Sequence, residues 1–205
     1  VHPWTYHVLK TAKKISLRTK EYFNITVAPK LVQFGYLPRQ SFLRKNLKPG
    51  SSRDIELLSG NNVRFKRPLM IDLGGIAKGF AADQATRVFK KNKILSGTVN
   101  AGGDLRIFGK MKQPVYVRRP DKPGEFLFLG HFRETSIATS ATYFSRKRRK
   151  KQWVSPFMTQ NGSCGEEISV SVIAKSCMIA DALTKVVINS ETACAPFLKL
   201  FSRLN

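Results

Sequence analysis

Apolar positions along this chain change their period several times, and each change marks an element. From residue 5 to 20, Tyr6, Leu9, Ile15 and Leu17 stand among Lys and Arg, a pattern that predicts a basic amphipathic helix. Tyr22–Val27 is rich in aromatic and β-branched residues and predicts an extended stretch, stopped by Pro29. Pro38, Pro49, Gly50, Ser51 and Ser52 predict a loop over 38–53. Ile55–Leu58 and Asn62–Lys66 flank Ser59-Gly60-Asn61, which reads as a hairpin.

Leu69–Leu73 predicts a short apolar strand. It runs into Gly74-Gly75, and Ala77–Lys90 then predicts a helix with Ala81, Ala85, Val88 and Phe89 on one face. Further strands are predicted over Thr98–Asn100, Val115–Val117, Phe126–Phe132, Thr135–Ser140 and Ile168–Ala174, and a closing helix over Cys177–Asn189. Hairpins mix with single helices and lack the strict alternation of a parallel sheet, so the pattern predicts an α+β fold.

Composition bounds this picture. The 205 residues are 42% hydrophobic, which suits one compact domain, or two closely packed lobes, and excludes wholesale disorder. No run of apolar residues is long enough for a membrane-spanning helix. Val1-His2-Pro3-Trp4 reads as the middle of a protein whose start lies upstream. Cys164, Cys177 and Cys194 show no CxxC spacing, so neither a disulfide framework nor a zinc site is expected.

Charge changes the expected partners. The sequence holds 36 Lys and Arg against 13 Asp and Glu, a net charge of +23. Such a field attracts phosphorylated ligands, acidic lipid surfaces or nucleic acid. The densest run is Arg146–Lys151. A nucleic-acid site there would want interleaved aromatic residues, which the run lacks, so a solvated loop or hairpin tip is expected and a membrane-surface contact ranks second.

Three segments can carry chemistry. In Asp72-Leu-Gly-Gly-Ile-Ala-Lys-Gly79, glycines at a strand-to-helix turn let the backbone approach a phosphate, the helix N-terminus offers N–H groups, and Lys78 adds a point charge. It has neither the Walker A spacing nor the dinucleotide GxGxxG spacing. Val99-Asn-Ala-Gly-Gly-Asp-Leu105 repeats a glycine pair after a strand; alone it reads as a tight turn. In Ile179–Lys185, Asp181 and Lys185 stand one helical turn apart, which alone reads as a surface ion pair.

Together with Phe23–Leu31 and Ser136–Ser140, these segments occur in the order and approximate spacing of the FAD:protein FMN transferase (ApbE-like) family, which the sequence resembles over nearly its whole length. The resemblance implies an α+β, T-fold-related architecture with a flavin cleft, formed here by a single domain over 1–205 that lacks the family's N-terminal segment. It implies FAD as the cofactor and magnesium as the metal, with FMN moving from FAD to a Thr or Ser of an acceptor protein and AMP released. It also implies work at the periplasmic side of, or in association with, the inner membrane. Carried over by position, FAD would contact Tyr22, Phe23, Asn24, Asp72, Lys78 and Phe157, and the metal would be held by Gly75 and Asp181.

Three departures from the family pattern fall on the reaction centre, one of them Ala141-Thr142 where Gly-Asp is common. Ser155 stands at the family's catalytic His position, and a serine hydroxyl is a poor general base. Lys185 stands where a metal-binding Thr is usual, with Thr184 one position early. An ammonium is donor-only and cannot ligate a cation, but it can occupy the metal's place. The sequence therefore carries three readings: an FMN transferase, a catalytically degenerate flavin-binding or flavin-delivery protein of the same fold, and a basic module for nucleic acid or membrane surfaces. Of the anionic partners, nucleic acid is the one least expected.

Overall fold

The computed structural model describes residues 1–39, 47–119, 121–122, 124–159, 162–165 and 167–190. The loop expected over 38–53 lies partly outside them, as does Cys194. The chain opens with α1 (Pro3–Arg18), a 3-10 turn (Ile25–Val27) and α2 (Ala28–Gln33). A second 3-10 turn (Ser52–Asp54) leads to the hairpin β1 (Ile55–Leu57) and β2 (Val63–Phe65), then to α3 (Ala77–Lys91), β3 (Gly97–Ala101) and β4 (Asp104–Phe108). Next come β5 (Gln113–Arg118), β6 (Phe126–Phe132), β7 (Thr135–Ala141), β8 (Lys147–Arg149) and β9 (Gln152–Val154). The pair β10 (Met158–Thr159) and β11 (Gly162–Ser163) follows, then β12 (Ser169–Ala174) and α4 (Cys177–Asn189). The mixture is the α+β class that the sequence pattern predicts.

One four-stranded antiparallel sheet, in the order β12-β7-β4-β3, carries the rest. Both α3 and α4 pack on it and on each other. The main core joins Leu9, Ala12 and Ile15 of α1, Phe23, Ile25 and Ile76 from loops, Phe80 of α3, and Met178, Leu183 and Val186 of α4. Burial of α4 on nearly every side explains its apolar sequence. Ser176 caps its start by accepting the Ile179 N–H, so its bounds coincide with those predicted. Among the described residues no helix is long and apolar enough to cross a membrane.

Three expectations are corrected. Tyr22–Val27 is not extended: Asn24 Oδ1 accepts both the N–H and the hydroxyl of Thr26, each at 2.8 Å, and closes the chain into a 3-10 turn. Pro29 then sits in the first turn of α2, where its missing N–H is no loss. Leu69–Leu73 joins no sheet. Leu69, Ile71 and Leu73 all pack on the core, but the backbone runs beside the 3-10 turn, with Asp72 N–H donating to Ile25 O at 2.8 Å.

The third correction concerns the face of α3. Gly79, Phe80, Ala82 and Thr86 are buried, whereas Val88 is 57% exposed. A polar contact sets this rotation. Asp83 accepts from the Ser176 hydroxyl at 2.7 Å and from the N–H groups of Cys177 and Met178 at 3.0 Å, capping α4 from outside. On the same face a Cβ at Gly79 would lie 2.8 Å from Met178 Cα and closer still to the Cys177 carbonyl oxygen.

Gly79→Ala should therefore force α3 and α4 apart, with a loss of about 1–3 kcal/mol of unfolding free energy. Gly124→Ala, where a Cβ meets nothing within 4 Å, should be near neutral. Urea titration of both variants checks the contrast.

Candidate functional site

The first turn of α3 and the middle of α4 meet at Asp181, which is fully buried. Its Oδ2 accepts the Gly79 N–H at 3.1 Å and lies 3.4 Å from Lys78 Nζ. Its Oδ1 accepts from the Lys185 ammonium, one turn later on the same helix. Lys185 also donates to the Asp181 carbonyl at 3.1 Å. The expected surface ion pair is thus a buried one, because α4 is enclosed at this level.

A second carboxylate joins the group. Asp104, at the first position of β4, is 1% exposed and pairs with Lys78 at 2.9 Å. The Gly102-Gly103 turn, with both residues at positive φ (64° and 96°), swings the chain from β3 into β4 and aims Asp104 at Lys78. Two ammonium groups and two carboxylates therefore share one cluster. Burial works against the charge on Lys78, but Asp181 and Asp104 outweigh it and hold the pKa above the ordinary lysine value. For Lys185 burial dominates over Asp181 and pushes the pKa down. Burial, then the Asp181 charge, raises Asp104 above the ordinary 3.8.

In front of this cluster lies a cavity of about 360 Å³. Phe23, Asn24, Asp72, Gly75, Phe157 and Lys185 line it, all among the residues singled out from the sequence. Asn24 is held by its amide donating to Gly50 O at 3.1 Å. Asp72 Oδ1 accepts the Gly74 N–H at 3.2 Å, which folds the glycine loop back on itself. Gly75 sits against Lys185: a Cβ there would lie 3.3 Å from Lys185 Cε and 3.4 Å from the Phe23 ring.

Other singled-out residues stand behind the wall. Tyr22 packs on the core and its carbonyl accepts from Asn189 at 2.9 Å. Lys78 points at the two carboxylates, with a further contact to Gly74 O at 3.3 Å. Ser155 is fully buried, and its Oγ accepts the Phe157 N–H at 3.2 Å. Thr184 is buried too, donating to Asp181 O at 2.7 Å and meeting Ser140 Oγ at 2.7 Å. His131 stays on the exposed surface of β6, edge-on to Phe128.

The sequence reading missed Asp104 as a site residue, although the Gly-Gly-Asp order marked its turn. It also missed Tyr36 and Asn189, which line the cavity. Nothing in their local sequence signals this. Among the described residues the buried Oδ1 of Asn189 has no hydrogen-bond partner, and buried acceptors rarely stay orphaned.

A model of the ApbE family matches residues 1–198. The chain belongs to the ApbE family. A protein of Buchnera aphidicola named FAD:protein FMN transferase is 25% identical, over 86% of this chain and 57% of its own length. One of the same name from Vibrio cholerae is 27% identical, over 87% of this chain and 58% of its own. This ApbE-family chain thus spans little more than half of either relative. The crystal structure of the ApbE protein from Thermotoga maritima superposes with a TM-score of 0.76 at 26% identity, covering 97% of this chain and 69% of that one.

The magnesium implied by the resemblance can be tested against the residues present. Magnesium demands near-octahedral oxygen ligands at about 2.0–2.1 Å. Both oxygens of Asp181 already serve N–H donors, and Lys185 runs between Gly75 and Asp181, the two positions carried over as ligands. Among the described residues no three His, Cys, Asp or Glu side chains gather. The residues here do not fit the metal.

Asp104 gives a pH signature. Its folded pKa is raised, so folding takes up a proton above the ordinary 3.8, and its stabilisation is lost as pH rises through the raised value. Asp104→Asn removes that loss. The stability of the variant relative to the unmodified protein should therefore improve from pH 4 toward pH 7, as read by urea titration across that range.

Proposed function

We propose that this chain binds FAD in the cavity and transfers its FMN portion to a Thr or Ser hydroxyl of an acceptor protein. One observation carries the reading: the Phe23–Asn24, Asp72–Gly75, Pro156–Phe157 and Lys185 segments, far apart in sequence, line a single cavity. Its volume is in the range of small-molecule sites. The names of the curated relatives support the reaction class.

In this reading Phe23, Tyr36 and Phe157 supply apolar and aromatic surface for the flavin ring. The Oδ1 of Asn189, without a partner among the described residues, is an acceptor for a ring N–H. Lys185 faces the diphosphate from the Asp181 side, with Lys78 holding Asp181 and Asp104 behind it, and Asp72–Gly75 supplies backbone close to it. In the reaction the acceptor hydroxyl oxygen forms a bond to the FMN phosphorus. The bond from that phosphorus to the AMP oxygen breaks, AMP leaves, and the hydroxyl proton is released.

Binding is independent of magnesium in this proposal, because the Lys185 ammonium occupies the position between Gly75 and Asp181. It sets charge against the diphosphate without an exchangeable ion. The degenerate flavin-binding reading shares all of this except turnover; the buried Ser155 Oγ, which accepts the Phe157 N–H, is the base in neither reading.

Calorimetric titration with FAD should give the same affinity in EDTA as in magnesium. Lys185→Thr should weaken binding in EDTA by about tenfold, roughly 1.4 kcal/mol, and regain affinity when magnesium is added. An FMN-sized mass gain on a threonine peptide then distinguishes transfer from binding alone. Loss of affinity in EDTA by the unmodified protein would exclude the lysine substitution for metal.

A further inference from the structure

The run Arg146–Lys151 is the most cationic stretch of the chain, and the fold gives it a definite place. It leads into and forms β8 and the tip of the two-stranded β8–β9 hairpin, which is exposed from 147 to 153. The aromatic partners missing from its sequence arrive through space. The Arg146 guanidinium lies 4.5 Å from the centre of the Trp153 ring, Lys147 4.2 Å from that of Tyr36, and Arg149 5.4 Å from that of Phe34. Lys147 also donates to Gly35 O at 3.0 Å, and Arg149 to Gln33 O. These three cations seat the hairpin.

Among the described residues, Arg148, Lys150 and Lys151 do not take part in the seating. Among the described residues, the run's only ion pair joins Arg146 to Glu167. Like charges gathered this densely on one hairpin repel one another and lower its stability. An anionic partner would remove that cost.

The hairpin also shares a wall with the cavity. Tyr36, under Lys147, lines the cavity and donates its hydroxyl to Val154 O at 2.7 Å. From Val154 the chain continues directly into Pro156, Phe157 and Met158 on the same wall. A partner lying on the hairpin is thus beside the point where a side chain would enter.

We propose that the β8–β9 hairpin is the docking site for the acceptor polypeptide, and that this polypeptide is acidic next to its reacting Thr or Ser. The inference rests on the transfer reading above. An extended peptide fits both features: its carboxylates match guanidinium and ammonium groups, and it can lie along the hairpin beside the cavity. One hydroxyl side chain can then reach into the cavity. A flat lipid surface meets the charge but cannot enter. Single-stranded nucleic acid meets the charge and Trp153 but brings no Thr or Ser hydroxyl for the transfer.

The test compares the unmodified protein with a variant carrying Arg148→Gln, Lys150→Gln and Lys151→Gln, none of which touches the cavity. Fluorescence anisotropy follows a short peptide holding one threonine flanked by glutamates, and the same peptide with glutamines. FAD binding is followed separately by flavin fluorescence. The glutamate peptide should bind about tenfold more tightly than the glutamine peptide, and the variant should erase that difference with FAD affinity unchanged. Added salt should weaken only the glutamate peptide.

Equal binding of the two peptides, or a variant that keeps the preference, overturns the proposal. So does tighter binding of phosphatidylglycerol vesicles or oligo-dT than of the glutamate peptide, lost in the variant, which would assign the hairpin to a membrane or to nucleic acid. Failure of the unmodified protein to bind FAD would refute the transfer reading instead, while the peptide comparison still decides the role of the hairpin.

Discussion

A carboxylate sealed from water has to be surrounded by donors, and Asp181 imposes that requirement on the centre of this fold. Its donors come from two helices: Lys185 from α4 itself, and the Gly79 N–H and Lys78 ammonium from α3. Leaving such a charge unpaired costs about 3–5 kcal/mol, comparable to a large part of a domain's net stability. For a backbone N–H of α3 to reach 3.1 Å from a side chain on α4, the helices must come too close for any side chain between them. Glycine at 79 follows from this, and so does the direction in which the preceding Asp72–Gly75 loop leaves the helix. That loop is a wall of the cavity, so the position of the wall is set by a charge the cavity never touches.

The elements with the strongest local signals were legible in the sequence, and the contacts between them were not. The bounds of α4 were predicted as the structure has them, Cys177–Asn189. Those of β6 followed from its aromatic and aliphatic run. In α3 the bounds were legible and the rotation was hidden. Hydrophobicity ranked Val88 and Phe89 above Gly79 and Asp83, yet it is the latter pair that docks on α4. At Tyr22–Val27, β-branched composition suggested extension, but one amide, Asn24, bonded the local backbone first.

The candidate site divides the same way. Phe23, Asn24, Asp72, Gly75, Phe157 and Lys185 were found because each stands in a segment whose order is shared with a family. Tyr36 and Asn189 reach the cavity from positions with no distinguishing neighbours. Ser155 shows the converse: position marked it, while its surroundings turned the hydroxyl inward to hold a turn. The aromatic residues that sequence reasoning sought inside Arg146–Lys151 stand at positions 34, 36 and 153, where only the tertiary fold unites them.

The chain uses cations in two opposed ways, and the contrast bears on its chemistry. Inside, Lys78 and Lys185 are balanced by Asp104 and Asp181, so the cluster carries little net charge. A diphosphate brought before it would meet donors already fixed in direction, with less attraction than a divalent ion supplies. Long-range attraction must then come from elsewhere, and the surplus of +23 provides it. Affinity for an anionic ligand in this arrangement comes from the whole field, while its orientation comes from the buried pairs. If Lys185 stands in for a metal, as proposed, the surplus charge of the surface supplies the remaining attraction.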